Sequence, residues 1–487
     1  MVLQSNPRQL AGAAERVLFV TSEMTDLLKA GGLGEISAAL PRVLCRQGVD
    51  MRILIPGYRA ALARFPAPAI LAALPGLGQV PACRIGALQA PDGLVIYVVI
   101  CPELYDRDGS PYGDAEGAEW GDNDLRFARL GLAAADIAAG VAGLGWQPQL
   151  LHVNDWPSAL APAYLAWRGQ ATPSILTVHN LAYQGLFERN RGSALGIPDA
   201  AFQTEGVEFH GKISFLKAGL FYASHLTTVS PTYAREILTP ELGCGLDGLL
   251  RARASQGELT GILNGIDDSY DPRSDQHLSH HFDSGDLSGK AGNAAEVRAA
   301  FGLERSTGPL FAVVSRLVHQ KGVDLTIEAA DAIVAEGGQV VAIGQGEPGL
   351  ETAMTGLAAR HPQSVGVQIG FDEGLARRMY AGSDFLLMPS RFEPCGLSQM
   401  YAQRFGSLPI ARRTGGLADT IQDHVTGFLF AAASANSLRR GIDRALAAYR
   451  SGDRLDRMKA AAMQRPAGWA AAAAAYQDAY ARVTAAA

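Results

Sequence analysis

The sequence is short of cysteine, of long apolar runs and of concentrated charge, and each shortage excludes something. Five cysteines in 487 residues, Cys45, Cys83, Cys101, Cys244 and Cys395, form no CxxC pair. Their odd number and wide spacing argue against a disulfide framework and fit a reducing cytoplasm. No stretch approaches the roughly 20 apolar residues that a membrane helix needs, and residues 1–14 hold no apolar core of signal-peptide length, so a soluble chain with no membrane partner is expected. The 42 basic and 48 acidic residues leave a net charge of −6 with no basic stripe, which argues against nucleic acid as a partner. His277, His280 and His281 share one polar segment, but no cysteine or defined second ligand set accompanies them. They read as solvated loop residues, and no metal site is expected.

What is present is an apolar fraction of 48% in a chain too long for one core, which points to two domains and an extension. Short β-rich runs alternate with helical patterns, so an α/β class with parallel sheets follows. The first strand, 16–21, leads to a glycine loop with Lys29, Gly31, Gly32, Leu33 and Gly34, then a helical pattern from Ile36. Glycines let a backbone approach a ligand closely, and Lys29 is placed to reach a phosphate; a tight turn with a solvated lysine is the competing reading. The loop lacks the Gly-Lys-Ser/Thr ending of a Walker motif. Strands at 51–56 and 94–101 and a long amphipathic helix over 124–141 follow. Two further strands end in polar clusters, Asn154-Asp155-Trp156 and His179-Asn180. In an open α/β sheet the ligand crevice lies beyond the carboxyl ends of the strands, where these clusters fall, although a histidine after a strand is often a structural hydrogen-bonder. A helix at 215–220, a strand at 225–229 and a last strand over 261–267 close the first domain. The polar segment 271–292 reads as an exposed connection.

The second half opens with a buried strand at 309–315 that runs into Arg316, and Lys321-Gly322 precede a helix over 323–336. Two cations at one strand-to-helix junction suit a diphosphate, against the alternative of two surface cations. Gly344, Gly346 and Gly349 formally match the dinucleotide fingerprint, but Glu347 would repel a pyrophosphate and Pro348 removes a donor, which favours a helix entry without ligand. Phe371 follows a strand at 365–369 and reads equally as core or as a ring that stacks on a base. The apolar run 384–388 leads into Pro389-Ser390-Arg391-Phe392-Glu393-Pro394-Cys395-Gly396-Leu397, with a helix over 397–405. Backbone N–H groups of Cys395, Gly396 and Leu397 at that helix start favour an anion. Glu393 beside them suggests a phosphate-bearing substrate whose reacting carbon becomes positive, against the alternative of a surface turn. Thr414-Gly415-Gly416-Leu417 repeats the first Gly-Gly-Leu, which suggests two similar half-sheets facing one cleft. The alanine-rich end, with Tyr476, Tyr480 and Val483 at helical spacing, reads as a docked helix.

Lys29-x-Gly-Gly-Leu, His179-Asn180, Ser315-Arg316-Leu317 with Lys321-Gly322, the block from Pro389 to Gln399 and Thr414-Gly415-Gly416-Leu417 occur in the order and rough spacing of the ADP-glucose-dependent glycogen and starch synthases, which the chain resembles from Arg16 to about Phe430. The resemblance implies a retaining GT-B glycosyltransferase: two Rossmann-like doubly wound parallel-sheet domains with an interdomain active-site cleft. It assigns 1–264 to the acceptor domain, 265–460 to the nucleotide-sugar donor domain and 461–487 to a C-terminal helix packing back toward the first. It implies transfer of glucose from ADP-glucose to the non-reducing end of an α-1,4-glucan such as glycogen, with no cofactor besides the donor. Carried over by position, Arg316 and Lys321 resemble the pair that stabilises the departing ADP, and Glu393 the carboxylate facing the transferred glucose. Lys29 with Gly31 and Gly32 resembles the donor-contacting loop. Cys395, Gly396 and Leu397 would hold sugar hydroxyls or phosphate; His179, Asp155 and Asn264 match the glucose and acceptor side. Phe371 stands where the family often has tyrosine. Ala30 for threonine, Glu35 for aspartate, Asn154 for histidine and Ser398 for threonine depart from the family pattern and bear on donor affinity and acceptor preference. A related enzyme with another nucleotide sugar or acceptor, or a non-catalytic glucan-binding protein, is the alternative; a nicotinamide-dependent oxidoreductase lacks its fingerprint on the first strand of a half-sheet.

Overall fold

The computed structural model describes residues 16–64 and 67–486, so the expectation for residues 1–14 lies outside the described residues. The chain divides into two compact units. The first holds the described residues up to Val229, Ala234–Asn264 and those from Trp469 on; the second holds Ser230–Tyr233 and Gly265–Gly468.

In the first unit the strands are β1 (Arg16–Val20), β2 (Asp50–Pro56), β3 (Ala69–Leu74), β4 (Cys83–Gln89), β5 (Val95–Ile100), β6 (Leu150–Asn154), β7 (Ser174–Val178), the short β8 (Leu186–Glu188), β9 (Glu208–Phe209) and β10 (Lys212–Ser214), then β11 (His225–Thr228) and β12 (Leu259–Gly261). Among the described residues nine of these form one sheet in the order β12-β11-β7-β6-β1-β2-β5-β4-β3. The unbroken apolar run Val17-Leu18-Phe19-Val20 is fully buried because β1 lies mid-sheet, covered on both faces. The chain leaves β1 toward β2 on one side and later returns as β6 on the other, so the strand order reverses between β1 and β6. The expectation of a parallel sheet is corrected at one edge: β3 and β4 run antiparallel, a hairpin in an alanine-rich stretch whose edge strand leaves Ile70 and Leu71 exposed. With neither face of β3 fully covered, the period-2 signal that would announce it is missing. β8, β10 and β9 make a separate antiparallel sheet.

The helix Asn123–Ala138 is buried almost all round rather than amphipathic. It carries two arginines inside, which the sequence pattern takes for a polar face. Arg126 donates to the carbonyls of Leu104 and Pro111 and to Asn123 Oδ1, and Arg129 to the carbonyls of Pro75 and Pro81 and to Asp136 Oδ2, so backbone carbonyls take up much of the charge of both guanidinium groups. The C-terminal segment forms two helices: Gly452–Met463 belongs to the second unit and Ala470–Ala485 to the first. In the first unit Tyr480 and Tyr476 are buried against His152 of β6, and Tyr480 Oη and His152 Nδ1 lie 2.8 Å apart.

The second unit holds β13 (Leu310–Val314), β14 (Gln339–Gly344), β15 (Val365–Ile369), β16 (Phe385–Met388), β17 (Leu408–Arg412) and β18 (Phe428–Phe430), all parallel, in the order β15-β14-β13-β16-β17-β18. Here the reversal falls between β13 and β16, and open α/β sheets take their ligands beyond the carboxyl ends of the strands at such a point. The segment 271–292 is not an exposed connection. Asp275, Leu278 and Phe282 are buried, and Arg377 Nη1 donates to Asp275 Oδ2 at 2.8 Å. Its many polar residues hide three anchors spaced too irregularly to show a period.

Candidate active site

In the second unit, the loops that leave β13 and β16 are fastened to each other at the reversal point. After β13 the chain passes the exposed Arg316 and a short turn, His319–Lys321, to Gly322, whose φ of +68° is left-handed. A Cβ on Gly322 would overlap the Pro389 carbonyl oxygen, so only glycine lets the two loops meet there. Arg391 N–H donates to the Gln320 carbonyl at 2.8 Å, and its guanidinium donates to the His319 carbonyl at 2.7 Å and to both Asp324 oxygens at 2.8 and 2.6 Å. Gln320 Nε2 returns a bond to the Phe392 carbonyl at 3.2 Å.

This clamp sets the distance that matters for the chemistry. Lys321 Nζ lies 2.6 Å from Glu393 Oε2, and Ser390 Oγ donates to the same oxygen at 3.0 Å. Glu393 is only 4% exposed, so its charge meets a cation and a hydroxyl rather than bulk water. Behind it, Gly416 N–H points at the carbonyls of Glu393 and Pro394, 3.1 Å from each, and Ser230 Oγ donates to the Pro394 carbonyl at 2.6 Å. Cys395, Gly396 and Leu397 lie just ahead of a short helix, Ser398–Arg404, with Leu397 as its N-cap. That helix starts one residue later than the sequence suggests. Gly396 takes the left-handed φ of +72°, and Gln399 Nε2 binds the Cys395 and Gly396 carbonyls at 3.0 Å each, which turns the backbone at this point. Phe371 is 61% exposed, which removes the core reading and leaves an accessible ring at the carboxyl end of β15. The Gly344-x-Gly346 pair is a packing device: Cβ atoms there would overlap the Ser315 and Leu317 carbonyl oxygens, and Gly346 N–H is already bound to Glu351 Oε1 at 2.7 Å.

In the first unit the polar groups also gather beyond β1, β6 and β7. Asp155, with a left-handed φ of +51°, turns its carboxylate back so that Oδ1 accepts from the His179 N–H at 2.7 Å and the Asn180 N–H at 3.4 Å. Burial nevertheless pushes the Asp155 carboxyl up to about 7, against those backbone bonds that lower it. His179 Nε2 lies 2.9 Å from Asn154 Oδ1, and Asn154 Nδ2 donates to the Val20 carbonyl at 3.0 Å, tying β6 to β1 at the reversal. Since an amide oxygen only accepts, the proton sits on Nε2. Nδ1 is then an acceptor with no hydrogen-bond partner among the described residues. Burial holds this imidazole down at about 3, so it is neutral at pH 7. Asn264 is buried at the end of the unit, with Oδ1 also unpartnered among the described residues.

The glycine loop after β1 departs most from expectation. Lys29 Nζ lies 3.2 Å from Glu35 Oε1, and the N–H groups of Ala30 and Gly31 donate to Glu23 Oε2 at 2.7 and 2.8 Å. Gly31 caps the helix Gly32–Arg46. Glu23 was not singled out from the sequence; its one signal is an acid three residues past the first strand, at the carboxyl edge of the sheet. Ser390 and Gln399, quoted only as part of their block, and Ser230 received no role of their own, because single serines and glutamines carry no pattern. Among the described residues no group of three or more His, Cys, Asp or Glu is placed to hold a metal ion, His277, His280 and His281 included. Among them no helix is long and apolar enough to cross a membrane.

Comparison with known proteins matches residues 16–252 to the starch synthase catalytic domain and residues 298–465 to the group 1 glycosyl transferases. A glycogen synthase of Pseudomonas putida is 58% identical over 98% of this chain and 91% of its own length, and one of Pseudomonas aeruginosa is 55% identical over 98% and 93%. Among solved structures, the catalytic domain of starch synthase IV from Arabidopsis thaliana, bound to ADP and acarbose, superposes with a TM-score of 0.87 at 29% identity, covering 97% of this chain and 100% of that one. A sucrose-phosphate synthase from Thermosynechococcus elongatus, 18% identical with a TM-score of 0.60 over 97% of this chain and 99% of its own, shares the fold.

Proposed function

The chain belongs to the starch and glycogen synthase family of GT-B glycosyltransferases, and from that premise we propose that it lengthens an α-1,4-glucan with glucose taken from ADP-glucose, retaining the configuration of the transferred sugar. The observation that carries this reading is the Lys321–Glu393 pair, 2.6 Å apart and buried where the strand order of the second sheet reverses. In the transfer, the bond from the anomeric carbon to the diphosphate oxygen breaks, a bond to the acceptor oxygen forms, and the acceptor's hydroxyl proton passes to the departing diphosphate oxygen. Positive charge grows on the sugar and negative charge on the leaving ADP, as in glycoside chemistry generally. Arg316 and Lys321 offset the leaving group's charge, and Glu393 offsets the sugar's. Glu393 Oε2 is already engaged by Lys321 and Ser390. That engagement supports a carboxylate acting by its field, with the acceptor attacking from the leaving-group face, over one acting as a covalent nucleophile.

On the acceptor side we assign the neutral His179, whose Nδ1 is a ready acceptor for a hydroxyl, together with Asp155 and Asn264. Lys29 and the N–H groups near Cys395, Gly396 and Leu397 complete the donor contacts, and Phe371 offers its ring to the adenine. With two cations beside the departing diphosphate, we propose a metal-independent reaction; turnover lost to a chelator and restored by magnesium would overturn that. Five free cysteines fit the cytoplasm we assign.

The test is incorporation of labelled glucose into glycogen from ADP-glucose and UDP-glucose supplied separately, with Arg316→Ala alongside. Preference for ADP-glucose, and a loss in the variant of about 10²–10³ in turnover, as when a charge-stabilising donor is removed, is the expected result. Use of neither donor would return the chain to a diverged specificity or a glucan-binding role.

A further inference from the structure

The loop between β1 and the helix Gly32–Arg46 closes around a buried side chain that the proposed reaction does not use. Glu23 is 3% exposed, and its carboxylate is bound on both oxygens: Oε2 by the N–H groups of Ala30 and Gly31, Oε1 by the Tyr112 hydroxyl at 2.7 Å. Tyr112 Oη also lies 2.9 Å from Ser22 Oγ. All these donors are neutral, and the two N–H groups are consecutive, the arrangement in which a backbone cups an anion. The loop wraps closely: Thr25 N–H donates to the Gly34 carbonyl at 3.0 Å, and a Cβ on Gly34 would stand 2.7 Å from Lys29 Cβ and 3.3 Å from Glu23 Oε2. Ala30, Gly31 and Gly32 meanwhile face solvent, so the core gains nothing from their position.

We propose that Glu23 is a positioning residue for the donor-side loop: its carboxylate fills the anion seat of Ala30 and Gly31, fixing the backbone from which Lys29 projects. The loop therefore meets a donor with the Lys29 side chain and not with its own N–H groups, whose place for an anion is taken. Tyr112 holds the other oxygen and extends the control to the segment around it, which Asn123 Nδ2 anchors at the Tyr112 carbonyl, 2.9 Å away. This inference rests on the ADP-glucose reading for its kinetic consequences but not for its structural ones.

The test uses the full chain with Glu23→Ala, Glu23→Gln and Tyr112→Phe, read by peptide-level hydrogen exchange and by steady-state kinetics. Gln keeps an oxygen for both N–H groups, loses the charge and turns the other oxygen into an NH2 donor whose bond the Tyr112 oxygen can accept. In Glu23→Ala the Ala30 and Gly31 amides should exchange at least about tenfold faster, and the KM for ADP-glucose should rise about tenfold, the scale of one lost hydrogen bond to a charged acceptor, with the KM for glycogen unchanged. Glu23→Gln should restore both, and Tyr112→Phe should fall between. Unchanged exchange in Glu23→Ala would overturn the proposal whatever the substrate. So would a parallel rise of both KM values, or a Gln variant as impaired as Ala. Wild-type enzyme that ignores ADP-glucose would sink the functional reading instead, with the exchange arm still deciding the role of Glu23.

Discussion

Each unit carries a Gly-Gly-Leu loop and a Lys–Glu pair beside a strand reversal, and the two sets are built on opposite physics. In the first unit a Cβ on Gly31 would meet nothing within 4 Å, the loop faces solvent, and its N–H groups bind a carboxylate. In the second unit Gly415 and Gly416 are buried, and Cβ atoms there would overlap the carbonyl oxygens of Glu393 and Cys395. The first loop cups an anion with its N–H groups and leaves room for a side chain at Gly31, while the second is glycine because two backbones touch. The ion pairs divide likewise. Lys29–Glu35 keeps side-chain exposures of 31% and 29%, Lys321–Glu393 only 17% and 6%. A shared tripeptide thus does not imply a shared job, and the differences lead to separate outcomes.

The largest expected separation is in acid, because the first unit buries histidines neutral. Burial holds His152 and His179 at about 3 and His225 at about 4, all below the ordinary 6.5, so the folded state binds fewer protons than the unfolded one as pH falls through 6.5. Asp155, raised to about 7, works the other way between about 7 and its ordinary 3.8. Three histidines against one aspartate leave a net loss of up to two protons' worth between 6.5 and about 4. Each proton contributes a slope of about 1.4 kcal/mol per pH unit. Thermal unfolding followed from pH 7.5 to 4.5 should show this unit melting progressively earlier below pH 6.5. Asp155→Asn should be more stable than the parent at pH 8 and lose stability more steeply in acid; a flat profile would remove the contrast.

Next in size is Gly416→Ala. The added methyl has to displace the Glu393–Cys395 backbone, an overpacking cost of about 1–3 kcal/mol, and it moves the carboxylate that faces Lys321. We expect a melting point lower by several degrees and turnover reduced about a hundredfold, since small misplacements at a reacting centre cost that much. Wild-type turnover in this variant would show that the contact is slack and that the two loops are alike after all.

The lysines come third. Lys321→Ala leaves Glu393 buried with, among the described residues, only Ser390 on that oxygen, and removing one partner of a buried pair costs about 3–5 kcal/mol, less here because the lysine is partly exposed. Lys29→Ala removes a half-open pair worth about 0–1 kcal/mol. Urea denaturation should therefore separate the two variants even though both are expected to slow transfer from ADP-glucose. Equal stability losses would mean that burial is not what distinguishes the pairs.

These contrasts also mark how far the sequence could be read. Strands such as Leu310–Val314 and Phe385–Met388 were legible because a parallel sheet covered on both faces demands unbroken apolar runs. The carboxyl ends of such strands then marked Arg316, Lys321, Glu393, Asp155 and His179 as candidates, since the crevice rule points beyond strand ends. What stayed hidden was set by partners far apart in the chain. Arg126 and Arg129 look like a polar face until backbone carbonyls come to them, and the hairpin from Ala69 to Gln89 lacks a covered face to imprint a period. Glu23 is an ordinary acid in the sequence and becomes a loop's anchor only when Ala30 and Gly31 fold back on it. The echo of Gly-Gly-Leu pointed to two similar sheets but not to what each loop does, because φ and near neighbours, not letters, decide why a glycine is there.

The smallest expected effect is the sharpest check on that last point. Gly31 has an extended φ of −153°, which any residue adopts, and open space where a Cβ would go. Gly31→Ala should keep stability within about 0.5 kcal/mol of the parent, as surface changes away from special features do. Its N–H remains free to donate to Glu23, so the loop keeps its shape and transfer from ADP-glucose should stay near the parent rate. A large loss of turnover with stability intact would instead mean that a ligand comes within contact of the Gly31 backbone. In that event the first loop too would be glycine for close approach, the contrast with Gly416 would shift from backbone against backbone to backbone against substrate, and Glu23 would share its seat with the donor rather than hold it alone.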